Sequence, residues 1–324
     1  MNRLNLLYML GLAISMLGCE LEELPVEPYD PGELVIGQVE LGSDYRYQAF
    51  FDLGTNQPVA INLKHDWDLG FEASDSGWHV ILNSSLSGKV ARFDGQAFEE
   101  LTQVEGDAWR YDASSGHLDS TAFGQYQAGN PVYIVDRGFT LQGLPIGLRK
   151  VQILSVDESG YRIRTAALNN AGDTTCFIAK DPSVNFVAFS FESLSATPYE
   201  PAKEDWDFVF TSYTHLFTHT TPITPYLVTG ILLNPNGVEV ARMDDFPFES
   251  ISRADAERAE FSKARDVIGY DWKEYSFDLA GYIVFSEQQY IIRDTEGRLF
   301  KLRFVDFYNE EGQKGAPKFE VQAL

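Results

Sequence analysis

His215 and His219 are the two side chains of this 324-residue chain best placed by type and spacing to bind a metal. They lie in Thr211-Ser212-Tyr213-Thr214-His215-Leu216-Phe217-Thr218-His219-Thr220-Thr221-Pro222. Residues four apart share a face of a strand and also of a helix. Two neutral imidazoles on one face can ligate a transition metal or a haem iron. Tyr213 stands beside them, and Met243 is the one methionine beyond the N-terminal segment, so both are candidate further ligands. The competing reading is a Thr-rich surface loop with two solvated histidines. His65 adjoins an Asp-Trp-Asp block and suits packing as well as coordination. His79 and His117 have no partner within the sequence around them.

Catalytic templates are missing. The chain has no G-x-S-x-G elbow, P-loop, dinucleotide fingerprint or H-E-x-x-H. Its two cysteines make no zinc or iron–sulfur cluster. Carboxylates are abundant, but no pair stands out, and the expectation is a protein that is not an enzyme. A formal net charge of −23 argues against nucleic acid, which needs a basic patch. The same charge argues against docking on anionic lipid through basic residues.

The elements that position these residues repeat. Asp66-Trp67-Asp68-Leu69-Gly70-Phe71 returns as Asp205-Trp206-Asp207-Phe208-Val209-Phe210, with Trp67 and Trp206 139 positions apart. At the same offset Ala49-Phe50-Phe51 falls on Ala188-Phe189-Ser190, with no gap between run and motif. Ile81-Leu82-Asn83 then answers Leu232-Leu233-Asn234, and Val90-Ala91-Arg92 answers Val240-Ala241-Arg242. The order never breaks, which predicts an internal duplication over 42–180 and 181–324. The second stretch is longer in one place: Trp67 to Asn83 is 16 steps and Trp206 to Asn234 is 28, and the extra residues carry His215 and His219. Because the Trp-Asp pairs occur twice, they are expected to serve the fold. Trp67 and Trp206 would anchor cores, and Asp68 and Asp207 would accept backbone N–H groups or an indole N–H. Arg92 and Arg242 could pair with buried carboxylates. Trp78, Trp109 and Trp272, if exposed, could stack on a sugar or a porphyrin.

Alternating runs such as Tyr161 to Thr165 and Phe300 to Phe304 predict strands, divided by turns such as Asn234-Pro235-Asn236-Gly237. One helix is expected over Ser252 to Ala264, capped by Ser252 with Asp255 in the box position. The fold class predicted is β-dominated, all-β to α+β: two similar β-rich repeats with few short helices.

The N-terminus reads as an export signal. Arg3 precedes an apolar run from Leu4 to Leu17 that is too short to span a membrane as a mature helix. Leu17-Gly18-Cys19 looks like a bacterial lipobox, which makes 1–18 a signal peptide and Cys19 the lipidated residue. The acidic, Pro-rich stretch 19–41 is then an extended tether to outer-membrane lipid. Acylation of Cys19 leaves Cys176 without a disulfide partner.

The Trp-Asp-x-x-Phe blocks, Tyr290-Ile291-Ile292-Arg293-Asp294-x-x-Gly297, Lys301-Leu302-Arg303-Phe304-x-x-Phe307 and the ending Gly312-x-Lys314-Gly315-x-Pro317 resemble the HmuY-like haem-binding lipoproteins of Bacteroidetes. The lipobox agrees. The resemblance covers most of 184–324 and, more weakly, the first half. It implies a β-rich protein tethered to the outer membrane and exposed on the cell surface. It also implies haem held by two axial side chains, usually His, and passed to a TonB-dependent receptor. On that footing His215 and His219, joined by Met243 or Tyr213, are the candidate ligands. The alternative is a non-enzymatic surface adaptor, or a carbohydrate- or protein-binding lipoprotein without haem.

Overall fold

The computed structural model describes residues 32–104, 109–244 and 246–324. The expected signal peptide, Cys19 and the expected tether as far as Pro31 lie outside the described residues, which form one compact unit from Gly32 to Leu324. Residues 35–38 of the stretch expected as tether belong to a sheet. Val35–Gln38 is strand β1, paired antiparallel with the last strand, β21 (Lys314–Ala323). Gly37 makes that pairing possible, since a Cβ there would sit 2.3 Å from the ring of Phe319.

Among the described residues the structure is β-dominated and every strand pairing is antiparallel. Sheet I runs β1, β21, β20 (Leu299–Tyr308), β19 (Gln289–Arg293), β16 (Glu239–Arg242). Sheet II runs β11 (Thr174–Ala179), β10 (Gly160–Ala166), β9 (Leu148–Asp157), β8 (Val132–Asp136), β6 (Lys89–Phe93), β7 (Trp109–Arg110). Two smaller sheets lie inside. Sheet III is β13 (Ser195–Ala196), β12 (Phe186–Ser190), β4 (Leu69–Glu72), β5 (Val80–Leu82); sheet IV is β15 (Thr224–Leu233), β14 (Phe208–Phe217), β2 (Tyr47–Asp52), β3 (Gln57–Leu63). A separate hairpin joins β17 (Lys273–Ser276) and β18 (Gly281–Val284).

Side-chain alternation decides what each sheet packs against. From sheet IV, Ala49, Phe51, Phe208, Phe210, Ile231 and Leu233 meet Tyr290, Ile292, Leu302, Phe304 and Phe319 of sheet I. Phe51 stacks on Phe208 with the rings 3° from parallel. From sheet III, Leu69, Phe71 and Phe189 meet Tyr133, Val151, Tyr161 and Ile163 of sheet II. The opposite face of sheet IV carries Phe50, Val209, Tyr213, Val228 and Leu232, clustered with Trp206. β2 and the first seven residues of β14 are thus buried on both faces, apart from Tyr47 and Asp52 at the ends of β2, which is why Ala49-Phe50-Phe51 and Phe208-Val209-Phe210 read as unbroken apolar runs.

The two inner sheets each combine strands from both similar stretches. β2 pairs with β14, and β12 pairs with β4. The same contacts appear at both joints. The Asp207 N–H donates to Phe51 O and the Asp68 N–H to Phe189 O, each at 2.8 Å. Asp207 Oδ2 accepts from Leu53 N–H and Asp68 Oδ2 from Phe191 N–H. Asn83 Nδ2 donates to Lys64 O and Trp67 O, and Asn234 Nδ2 to Lys203 O and Trp206 O. Phe189 therefore corresponds to Phe51 and not to Phe50, one residue off the ungapped alignment. Phe51 to Asp68 is 17 steps and Phe189 to Asp207 is 18, so the second stretch carries one more residue between strand and motif.

Helix α1 is only Arg253–Ala256. Its capping box of Ser252 and Asp255 forms as expected. The helix stops early because Ser262 exchanges both backbone bonds with Val240 at 2.8 and 3.0 Å, drawing the chain onto β16. No helix among the described residues is long and apolar enough to cross a membrane.

Candidate functional site

A cleft of about 470 Å³ opens beside the β14–β15 hairpin. It is lined by Tyr226, Leu227 and Val228 of β15, by Tyr275 and Tyr282 of the β17–β18 hairpin, and by Tyr45, His65 and Phe139. Such a volume and such walls suit an organic ligand of moderate size.

Two lysines reach the cleft from the core. Lys64 Nζ donates to Ser212 Oγ at 3.3 Å, and Lys273 Nζ donates to Thr229 O at 2.6 Å. Lys273 also lies over the rings of Trp272 and Phe307, at 4.5 and 4.7 Å. Burial pushes Lys64 down to about 8 against the opposing charge of Asp44, and Lys273 down to about 7 against Asp271. Neither ammonium pairs with a carboxylate among the ion pairs of the described residues. Asp44 and Glu274 line the same cleft, but Asp44 is engaged by Arg46 at 2.6 Å. Burial and the neighbouring Lys64 lower the His65 pKa, which favours a neutral imidazole.

The residues singled out by sequence scatter. His215 is half-buried in β14, opposite Tyr226 of β15, with ring centroids 5.0 Å from Phe217 and 5.2 Å from Tyr270. Its Nδ1 is buried without a partner. His219 is exposed past the end of β14, its ring 5.5 Å from Phe217, so the Phe217 ring neighbours both imidazoles. Tyr226 and Tyr270 line the cleft, which connects it to the His215 strand. Tyr213 is core, and its hydroxyl has no partner. Met243 belongs to a different cluster with Ile251, Ile291 and Leu299 and is not brought to the histidines. No group of three or more His, Cys, Asp or Glu among the described residues is arranged to hold a bare metal ion.

Other expectations need adjustment. The indole N–H groups of Trp67 and Trp206 are buried and unpaired, so Asp68 and Asp207 serve backbone N–H groups instead. Asp68 also binds Arg137 at 2.7 Å. Arg92 and Arg242 pair with the solvent-facing Asp94 and Asp244, not with buried carboxylates. Trp272 is buried and stacks on Phe304, while Trp78 stacks on His79, whose Nδ1 meets Glu72 at 2.6 Å. Sequence reasoning passed over Lys64 and Lys273. The signal available was position: Lys64 lies three residues before Trp67, and Lys273 follows Trp272 directly.

The family model described as HmuY protein matches residues 44–321 in one continuous stretch. Similar solved structures include the apo HmuY analogue of Tannerella forsythia, at 9% identity and a TM-score of 0.25, covering 91% of this chain and 98% of that one. Another is apo PinO from Porphyromonas gingivitis, at 7% identity and a TM-score of 0.25, covering 90% and 97%. No curated protein matches.

Proposed function

The chain belongs to the HmuY protein family, and from that premise we propose that it captures haem in the cleft between the β14–β15 and β17–β18 hairpins. The observation that carries this reading is the pair of buried lysines, Lys64 and Lys273, lacking acidic partners in an aromatic-walled cleft. A buried charge without a counter-ion is costly, and an anionic ligand relieves it. Haem supplies two carboxylates on a flat apolar body. Its iron already has four ring nitrogens, so one or two protein ligands suffice where a bare ion would need more.

His65 supplies a neutral imidazole from within the cleft. His215 and His219 are carried by the other strand and the tip of the bordering hairpin, and remain candidate ligands. Lys64 and Lys273 receive the propionates, and Tyr226, Tyr275 and Tyr282 flank the ring. The two similar stretches act together as one family unit, because a single family match crosses the boundary between them. Lipidation at Cys19 would hold that unit on the outer-membrane surface, from which a TonB-dependent receptor collects the cargo.

Hemin titration followed in the Soret region tests the assignment. The expected result is a saturable, shifted Soret band that His65→Ala weakens at least tenfold. An unshifted band would overturn the assignment, and full binding by His65→Ala with loss only in His215→Ala or His219→Ala would overturn ligation by His65.

A further inference from the structure

We propose that a second cleft, between sheets III and IV, binds a small aromatic carboxylate. This site is independent of the haem reading. The cleft measures about 280 Å³, just below the ~300 Å³ at which pockets for drug-sized ligands begin. Its walls include Phe50, Trp67, Tyr199 and Trp206, contributed from both similar stretches. His117, Ser120 and Pro235 are exposed at its rim and mark the way in.

Asp112, Tyr199, Glu200 and Arg265 are half-buried and line this cleft.

The acceptors there are already engaged. Glu200 accepts from the Asn185 and Phe186 N–H groups, each at 3.1 Å, and from the Asn185 side-chain amide. Asp112 accepts from Leu82 N–H at 2.6 Å and Ala122 N–H at 2.7 Å. Glu72, also in the lining, is held by His79. The donors are spare. Arg265 donates through Nε to Leu233 O at 2.9 Å, and its two terminal nitrogens donate to no acceptor among the described residues. No carboxylate lies within ion-pair distance of it among the ion pairs of the described residues. Trp67, Trp206 and Tyr213 also line the cleft, with their indole N–H and hydroxyl groups buried away from its surface and unpartnered.

A planar guanidinium with its fork open binds a carboxylate through two parallel hydrogen bonds. Aromatic walls select a flat apolar body beside that carboxylate. Together they define the ligand class: one ring, one carboxylate, and little else.

The test uses the whole protein with benzoate and indole-3-carboxylate as probes, and benzyl alcohol as the uncharged comparator. Tryptophan fluorescence and calorimetry follow binding. The expected result is saturable binding with the carboxylates at least tenfold tighter than the alcohol. Arg265→Gln should lose at least tenfold while unfolding cooperatively near the wild-type temperature. If that variant fails to fold, Arg265→Lys carries the test: it keeps the charge, lacks the fork, and should lose at least fivefold. No saturable signal at millimolar probe, equal binding of the alcohol, or undiminished binding by the folded Arg265 variant would overturn the proposal. Hemin binding is read at the Soret band, so either site can fail without the other.

Discussion

Lys273 shows how a single side chain couples stability to ligand capture. The native state holds its proton only up to about pH 7, because burial disfavours the ammonium, whereas the unfolded chain holds it to about pH 10.4. Between those values the unfolded state binds more protons, so native stability rises with pH through the window, and below pH 7 the charge is a cost. Lys273→Met should therefore melt higher than wild type at pH 6, with the gap narrowing as the pH is raised to 9. Thermal scans across that range check it. The same substitution should weaken hemin binding about tenfold, since one propionate loses its partner at roughly 1.4 kcal/mol per factor of ten. A variant that is less stable at pH 6, or that binds hemin as well as wild type, would contradict the role given to this lysine. The pairing of His215 with His219 is legible in the sequence because a spacing of four is a local signal. Burial of a lysine cannot be read from its neighbours in sequence, since the same side chain ordinarily keeps its head in water.

At the level of strands and turns, Asn83 and Asn234 tie each Trp-Asp corner to its sheet. Each side-chain amide satisfies two backbone carbonyls, those of Lys64 and Trp67 or of Lys203 and Trp206. Replacing either by Ala strands both carbonyls, at about 1–3 kcal/mol for a buried group left unpaired. We expect Asn83→Ala and Asn234→Ala to lower stability by similar amounts, at least ~2 kcal/mol each, in urea unfolding. A cost below 0.5 kcal/mol in either would show that the corner does not depend on it. The recurrence of these residues was legible in the sequence, as were strands such as β10 and β20, because period-two alternation and turn residues are local signals. The length of α1 was not legible. Its cap is local, but the pull of Ser262 onto β16 is a tertiary contact that overrides helix propensity. The one-residue slip at Phe50 and Phe51 was hidden because both alignments set apolar residues against each other, and only the backbone bonds of Asp68 and Asp207 tell them apart.

Across the whole molecule, the boundary near residue 180 divides the sequence but not the sheets. β2 needs β14, and β4 needs β12, so each inner sheet is completed by the other stretch. Fragments 32–180 and 181–324 made separately should therefore lack cooperative unfolding, and mixing them should restore it, as circular dichroism during thermal scans would show. A cooperative transition in either fragment alone would mean that its core closes without the exchange. The sequence showed the similarity of the stretches but not their interlacing, because strand partners from distant segments are chosen by packing faces that only the assembled structure defines. The expected helical content, the acidic surface and the absence of catalytic templates say nothing about that choice.

The crossed pairing of β2 with β14 has a consequence for concentrated solutions. The contact that joins the first stretch to the second is chemically indifferent to whether both come from one polypeptide. Two molecules refolding side by side can trade partners and close into an intertwined dimer in which both clefts are rebuilt from two chains. Dilute refolding favours the closed monomer, because its own second stretch is always nearby.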